Sequence, residues 1–280
     1  MRLPQKLLSI ACFERKKFFK LWNTLKFGDQ VHAEFEQKLE LVLEHFQEFR
    51  SVYLPREIRF ISCVDADYPS ILRELDQPPL GLFVRGDFST ETSWVSVVGS
   101  RKPTAYSLRS TREFCRFWAE KGFGLVSGGA FGIDAEAHRT AIEFRVPSAI
   151  VMGSGFAHLY PAAHFSLFNE VLRRGGCWIS EYSPQSPGYP SQFPERNRLI
   201  AAMGEVLFLA QAHEKSGSLS TAKRALDLGK EIFVLQPPVA DLNFEGSRRL
   251  LEAGAHPIAS RKDLEIFYPD NVQQTGPSEI

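Results

Sequence analysis

Several short segments of the sequence carry residue types that can hold an anion. Gly99-Ser100-Arg101 sets two small residues before a guanidinium, so main-chain N–H groups can approach an anion that Arg101 grips through two donors. Ser127-Gly128-Gly129-Ala130-Phe131-Gly132-Ile133-Asp134 sets three glycines ahead of a helix start, with His138 one turn later. Phe193-Pro194-Glu195-Arg196-Asn197-Arg198 joins two arginines, an amide and a ring at another helix start, which supplies phosphate clamps beside a surface for base stacking. Lys215-Ser216-Gly217-Ser218-Leu219-Ser220-Thr221 gathers hydroxyls, a glycine and a charge in the manner of an anion nest. Each segment also has a bland reading: a tight turn at Gly99, a helix cap at Asp134, a hydrophobic staple at Phe193, a capping run from Ser216 to Thr221.

Other chemistries find less support. Ser127, Asp134 and His138 are the residue types of a catalytic set, yet no Gly-x-Ser-x-Gly elbow exists in the chain, and a cap plus a hydrogen-bonded helix histidine accounts for them. No catalytic residue is expected. Gly153-Ser154-Gly155 opens like a dinucleotide fingerprint, but His158 stands where its third glycine belongs and the loop follows the wrong strand. No P-loop is present. The four cysteines, Cys12, Cys63, Cys115 and Cys177, show neither a zinc spacing nor a disulfide framework. Neither a cofactor nor a metal is expected, and reduced thiols fit a cytoplasmic protein.

The elements that must position these loops alternate. Apolar runs at 94–98, 123–126, 147–152, 177–179, 205–210 and 231–235 read as strands. Helical spacing marks 107–121, 134–144, 164–174, 194–203 and 219–228. Strands without inside-outside alternation, separated by helices, require a doubly wound, mostly parallel α/β sheet of Rossmann-like type covered on both faces, with ligands at the strands' carboxyl ends. That edge would gather Arg101, Arg196, Arg198 and Lys215, with the phosphate-facing Gly99, Ser100, Ser127, Gly128, Gly132, Gly153, Gly155, Ser216, Gly217, Ser218 and Thr221 around them. A polyanion or a nucleotide is the expected guest.

Outside this core, residues 1–57 read as a small helical N-terminal region, whose first 26 residues hold seven Lys or Arg against one Glu. That excess is either a DNA-facing surface or a solvated helix face. Residues 58–86, broken by Pro69, Pro78 and Pro79, read as a connector packed on the domain that extends to 270, and 271–280 as a frayed tail. The formal net charge of zero announces no polyanion partner, so a nucleic-acid site must come from local clustering. No apolar run reaches membrane-spanning length.

The motifs VVGSRKPTAY, LVSGGAFGID-x3-H, Gly153-Ser154-Gly155 followed by Tyr160-Pro161, SEY (180–182), FPERNRLIA, SGSLSTA and GA (254–255) stand in the order and spacing of the DprA/Smf family, which the chain resembles over roughly 58–258. The stretch from Asp65 through QPP-x4-FVRGD (77–87) resembles that family's approach to its core. The resemblance implies an extended Rossmann-like fold, no enzymatic activity, sequence-independent binding and protection of single-stranded DNA, loading of the RecA recombinase in natural transformation or recombination, and a homodimer. It assigns strand contact to Arg101 and to Phe193, Arg196, Asn197 and Arg198, with Phe193 as a stacking or pocket-wall residue. The chain departs from the family's pattern at Ser107 and Pro238, at Gln211 in place of a glutamate, and at Arg248 in place of an asparagine. These changes cluster in the second half of the pocket rim and leave the fold untouched, while Arg248 and Arg249 either enlarge the basic surface or simply face solvent. A rival class, the LOG phosphoribohydrolases, has Pro-Gly-Gly-x-Gly-Thr-x2-Glu where this chain has SGSLSTA. Residues 216–226 contain no carboxylate to serve that chemistry.

Overall fold

The computed structural model describes residues 56–63 and 65–269; the expected N-terminal helices and the tail from 271 lie outside the described residues. The central strands are the six apolar runs: β3 (Trp94–Val98), β4 (Gly124–Ser127), β5 (Ser148–Met152), β6 (Cys177–Ser180), β7 (Val206–Leu209) and β8 (Glu231–Leu235). Between them lie α1 (Ala105–Glu120), α2 (Ile133–Phe144), α3 (Phe165–Arg173), α4 (Gln192–Met203) and α5 (Gly217–Asp227). These boundaries match the sequence reading to within two residues.

Residues 58–86 correct that reading. They contain β1 (Ile58–Ser62) and β2 (Gly81–Gly86), an antiparallel pair whose second strand runs antiparallel to β6 and so extends the sheet. A 3-10 turn at Ser70–Glu74 joins them. At the other end the chain adds α6 (Glu245–Glu252), β9 (His256–Ile258) and α7 (Arg261–Glu265). The nine-stranded sheet has the order β1-β2-β6-β5-β4-β3-β7-β8-β9, parallel from β6 to β9.

Successive residues of the central strands feed opposite cores, because strand side chains alternate between faces. On one face Val95, Val97, Leu125, Phe208 and Phe233 pack with Phe114 and Trp118 of α1 and Ala137 of α2. On the other, Val126, Val151, Leu207 and Val234 pack with Leu199 and Ala202 of α4 and Ala222 of α5. Burial on both faces explains why these strands read as unbroken apolar runs. Ser96 is the polar exception in β3: its Oγ donates to Ile200 O at 2.5 Å and accepts from Gly204 N at 3.1 Å, so the hydroxyl ties α4 to the sheet. The chain winds outward from β3 to β6 and then returns to lay β7 beside β3. The loops after β3 and β7 therefore diverge at the carboxyl edge, which opens a crevice at this switch point.

Candidate nucleic-acid interface

The crevice is a cleft of about 630 Å³ lined by Arg101, His158, Leu159, Tyr160, Gly188, Pro190, Phe193, Pro194, Arg196, Asn197 and Gly217. None of these is acidic. Arg101, in the loop after β3, is exposed and has no hydrogen-bond or ion-pair partner among the described residues. Gly217, the first residue of α5, faces it from the loop after β7, with Ser216 capping that helix. The two loops are tied together by Gln211, whose Oε1 accepts from Thr104 N at 2.9 Å and from Ser107 Oγ at 2.7 Å. Since Thr104 caps α1 only three residues beyond Arg101, this tie fixes where Arg101 stands.

Phe193 is held from behind by glycine. A Cβ on Gly153 would lie 2.8 Å from the Phe193 ring, so only a glycine lets the ring settle against the loop after β5. Tyr160 meets Phe193 edge-on with centroids 5.1 Å apart, and the pair forms an aromatic wall of the cleft. Glu195, the carboxylate of the same segment, accepts from Tyr182 Oη at 3.1 Å.

Arg196 and Arg198 are separated by the fold. Arg196 is buried at the cleft floor; its Nη1 donates to the carbonyls of Gly128 and Val151 and its Nε to Asn197 Oδ1 at 3.2 Å. Burial lowers its pKa to about 10, against the pull of Asp134 and with the help of the nearby Arg101 charge, which leaves it cationic at neutral pH. Arg198 does not reach the cleft. It forms a two-pronged ion pair with Glu181, at 2.7 and 2.8 Å, and donates to Gln77 O at 3.1 Å, with both side chains under a tenth exposed. The expectation of a strand contact at Arg198 is therefore corrected: its donors already serve the carboxylate and the stretch before β2. Lys215 is exposed but outside the cleft lining.

Several residues expected to face phosphate have their donors engaged within the chain. Ser127 Oγ donates to Val97 O at 2.6 Å, Gly128 N to Asp134 Oδ2 at 3.2 Å, and Gly155 N to Ser186 O at 2.8 Å, so none has a free donor. Ser218 and Thr221 are buried within α5, and Gly99, Ser100, Gly132 and Gly153 shape the loops without lining the cleft. Of that set only Gly217 lines it. Asp134 does not cap its own helix: Oδ2 accepts from the N–H groups of both Gly128 and Ala130 and so closes the glycine loop. Sequence reasoning passed over Tyr160 as a site residue. Its signal was present as an aromatic next to a proline in a loop beyond a strand end.

His138 is buried behind this loop, with Nδ1 sharing a 2.8 Å hydrogen bond with Ser148 Oγ and Nε2 unpartnered among the described residues. Desolvation, reinforced by His164, Arg196 and Arg139, pushes its pKa down to about 3. Below pH about 6.5 the unfolded chain protonates this histidine while the folded chain does not, so stability falls with acidity from that pH towards 3. The expected loss from this one group is about 2 kcal/mol at pH 5. Urea unfolding at pH 7.5 and pH 5 checks it: His138→Gln should lose about that much less than wild type between the two, and equal losses would discount the role of His138.

The positions that depart from the DprA/Smf pattern meet in pairs. Ser107 bonds Gln211, as described, and Arg248 Nη2 donates to the carbonyls of Pro238, at 3.0 Å, and Asp241, at 2.9 Å. Arg248 thus braces the loop after β8, and Arg249 pairs with Glu214 at 2.7 Å; neither adds free charge to the cleft. Among the described residues no helix is long and apolar enough to cross a membrane.

Known proteins resemble this chain in sequence and in fold. The chain is 32% identical over 257 residues to the DNA processing protein DprA of Bacillus subtilis, covering 89% of this chain and 85% of that one. It is 34% identical to protein Smf of Escherichia coli over 70% of this chain, spanning only 53% of that relative's length. Among solved structures, DprA of Streptococcus pneumoniae superimposes with a TM-score of 0.70 at 28% identity, over 85% of this chain and 83% of that one. DNA processing protein A of Helicobacter pylori, whose structure concerns its single-stranded DNA binding mode, gives 0.68 at 28% identity, over 76% of this chain and 95% of that one. With residues 59–269 matching the profile of the DNA recombination-mediator protein A family, the chain belongs to that family.

Proposed function

We propose that the cleft binds single-stranded DNA without regard to sequence, with no chemical step, and that the chain protects single strands and passes them to a RecA-type recombinase in the cytoplasm during transformation or recombination, acting as a homodimer. The observation that carries the binding reading is an Arg101 without a partner among the described residues, near enough to the buried, cationic Arg196 to act on its charge and sharing with an aromatic wall a cleft whose described lining holds no carboxylate. A phosphate fits between the guanidinium and the N-terminus of α5, and a base fits against Tyr160 and Phe193. None of these contacts reads base edges. The single-stranded DNA binding named for the Helicobacter pylori protein, and the family's description as a recombination mediator, support the same reading.

Fluorescence anisotropy of the purified chain with a labelled single strand and its duplex, at several salt concentrations, tests it. Single strands should bind more tightly, with affinity falling as salt rises. Arg101→Ala should weaken binding about 10- to 100-fold on every sequence, the range of a charge-assisted contact, and flatten the salt slope by about 0.7. Absence of binding at low salt, or an Arg101→Ala protein that binds like wild type, would overturn the reading. Strand-exchange assays with a RecA-class recombinase on coated single strands test the handover, and sedimentation tests the dimer.

A further inference from the structure

Beside the cleft lies aromatic surface that the phosphate grip leaves unused. Phe131, at the crest of the glycine loop, is 46% exposed, and Phe165, which opens α3, is 61% exposed. His164, buried, precedes Phe165 in the chain: its Nδ1 donates to Gly129 O at 2.9 Å and its ring meets Phe131 edge-on at 4.6 Å. The histidine is thus a fixed post against which Phe131 stands outward, instead of folding onto the core.

This surface is continuous with both flanks of the cleft. Gly132, the neighbour of Phe131, has its backbone against Ser100 and Arg101, and Ile133 N donates to Ser100 O at 3.2 Å. On the other flank the cleft-lining Tyr160 precedes His164 by one short turn. From Leu159 to Asn169 the chain has no Asp, Glu, Lys or Arg, so the patch offers rings and no fixed charge. Rings without charge suit the faces of bases, and the neighbouring cations suit the backbone that joins them.

We propose that Phe131 and Phe165 are stacking platforms for the bases of a strand leaving the cleft past Arg101, so that the site spans several nucleotides. The proposal rests on the single-strand reading of the cleft. Its occupant is the continuation of that same strand, chosen because the patch adjoins the phosphate grip on two sides and contains no charge that would pair with a protein segment.

Anisotropy titrations of the full chain with oligothymidylates of about 4 and about 16 nucleotides, the limits of common single-strand site sizes, test it. Wild type should bind the longer strand more tightly. Phe131→Ala and Phe165→Ala should each weaken the longer strand about ten-fold and leave the shorter unchanged, as expected for loss of one stacked base. Phe131→Tyr, which keeps a ring, should bind like wild type. The salt slope should stay constant, in contrast to Arg101→Ala, because no phosphate contact is removed. Equal affinity of the alanine variants and wild type for the longer strand, or equal losses at both lengths, overturns the proposal. Failure of wild type itself to bind either strand sinks the single-strand reading together with this extension, and is told apart by the behaviour of wild type alone.

Discussion

Arg198→Ala is expected to lower the free energy of unfolding by about 3–5 kcal/mol while leaving strand affinity near that of wild type. The truncation removes a guanidinium that grips Glu181 through two hydrogen bonds and donates to Gln77 O, and it takes this two-pronged partner from a carboxylate that is under a tenth exposed. A buried charge that loses its ion-pair partner is costly because the interior cannot replace its hydration. Urea denaturation at pH 7 measures the loss. Replacing both partners, as in Arg198→Met with Glu181→Met, should recover most of it, since neither buried charge then remains. A stable Arg198→Ala protein with weakened DNA binding would instead return this arginine to the strand-contacting set.

Gly132→Ala should destabilise the fold by about 3 kcal/mol and weaken single-strand binding as Arg101→Ala does. Gly132 has φ +77° and ψ −120°, a conformation that glycine alone adopts readily. An added Cβ would lie 2.3 Å from Ser100 O and 3.0 Å from the Arg101 carbonyl carbon, both main-chain atoms that cannot rotate away. The backbone of the Arg101 loop must shift, and the guanidinium shifts with it. Thermal unfolding and anisotropy together check this: a stability loss with unchanged affinity would mean that Arg101 tolerates displacement of its loop.

The sheet was legible because its central strands are apolar on both faces, and Gly-rich turns separate them from helices of regular spacing. The two strands within 58–86 were not. IRFIS mixes Arg59 and Ser62 into the run, and its partner GLFVRG follows paired prolines, so neither stands out as a strand until it pairs with the edge at β6. The site was legible as a set of loops, but the sequence could not sort the residues within them. Serine and glycine donors look alike whether they face a phosphate or, like Ser127 and Gly155, a carbonyl of their own chain.

Arg196 and Arg198 show the division most clearly. Two positions apart on a helix means a turn of about 200°, so one chain pattern already obliges the two guanidiniums to leave α4 on opposite sides. By itself the sequence determined the alternation of strands and helices, the carboxyl-edge placement of the cationic loops and the absence of a carboxylate in 216–226. Only the tertiary structure decided that Arg196 reaches the cleft floor and Arg198 meets Glu181, because long-range packing chooses which side of a helix faces solvent, ligand or core.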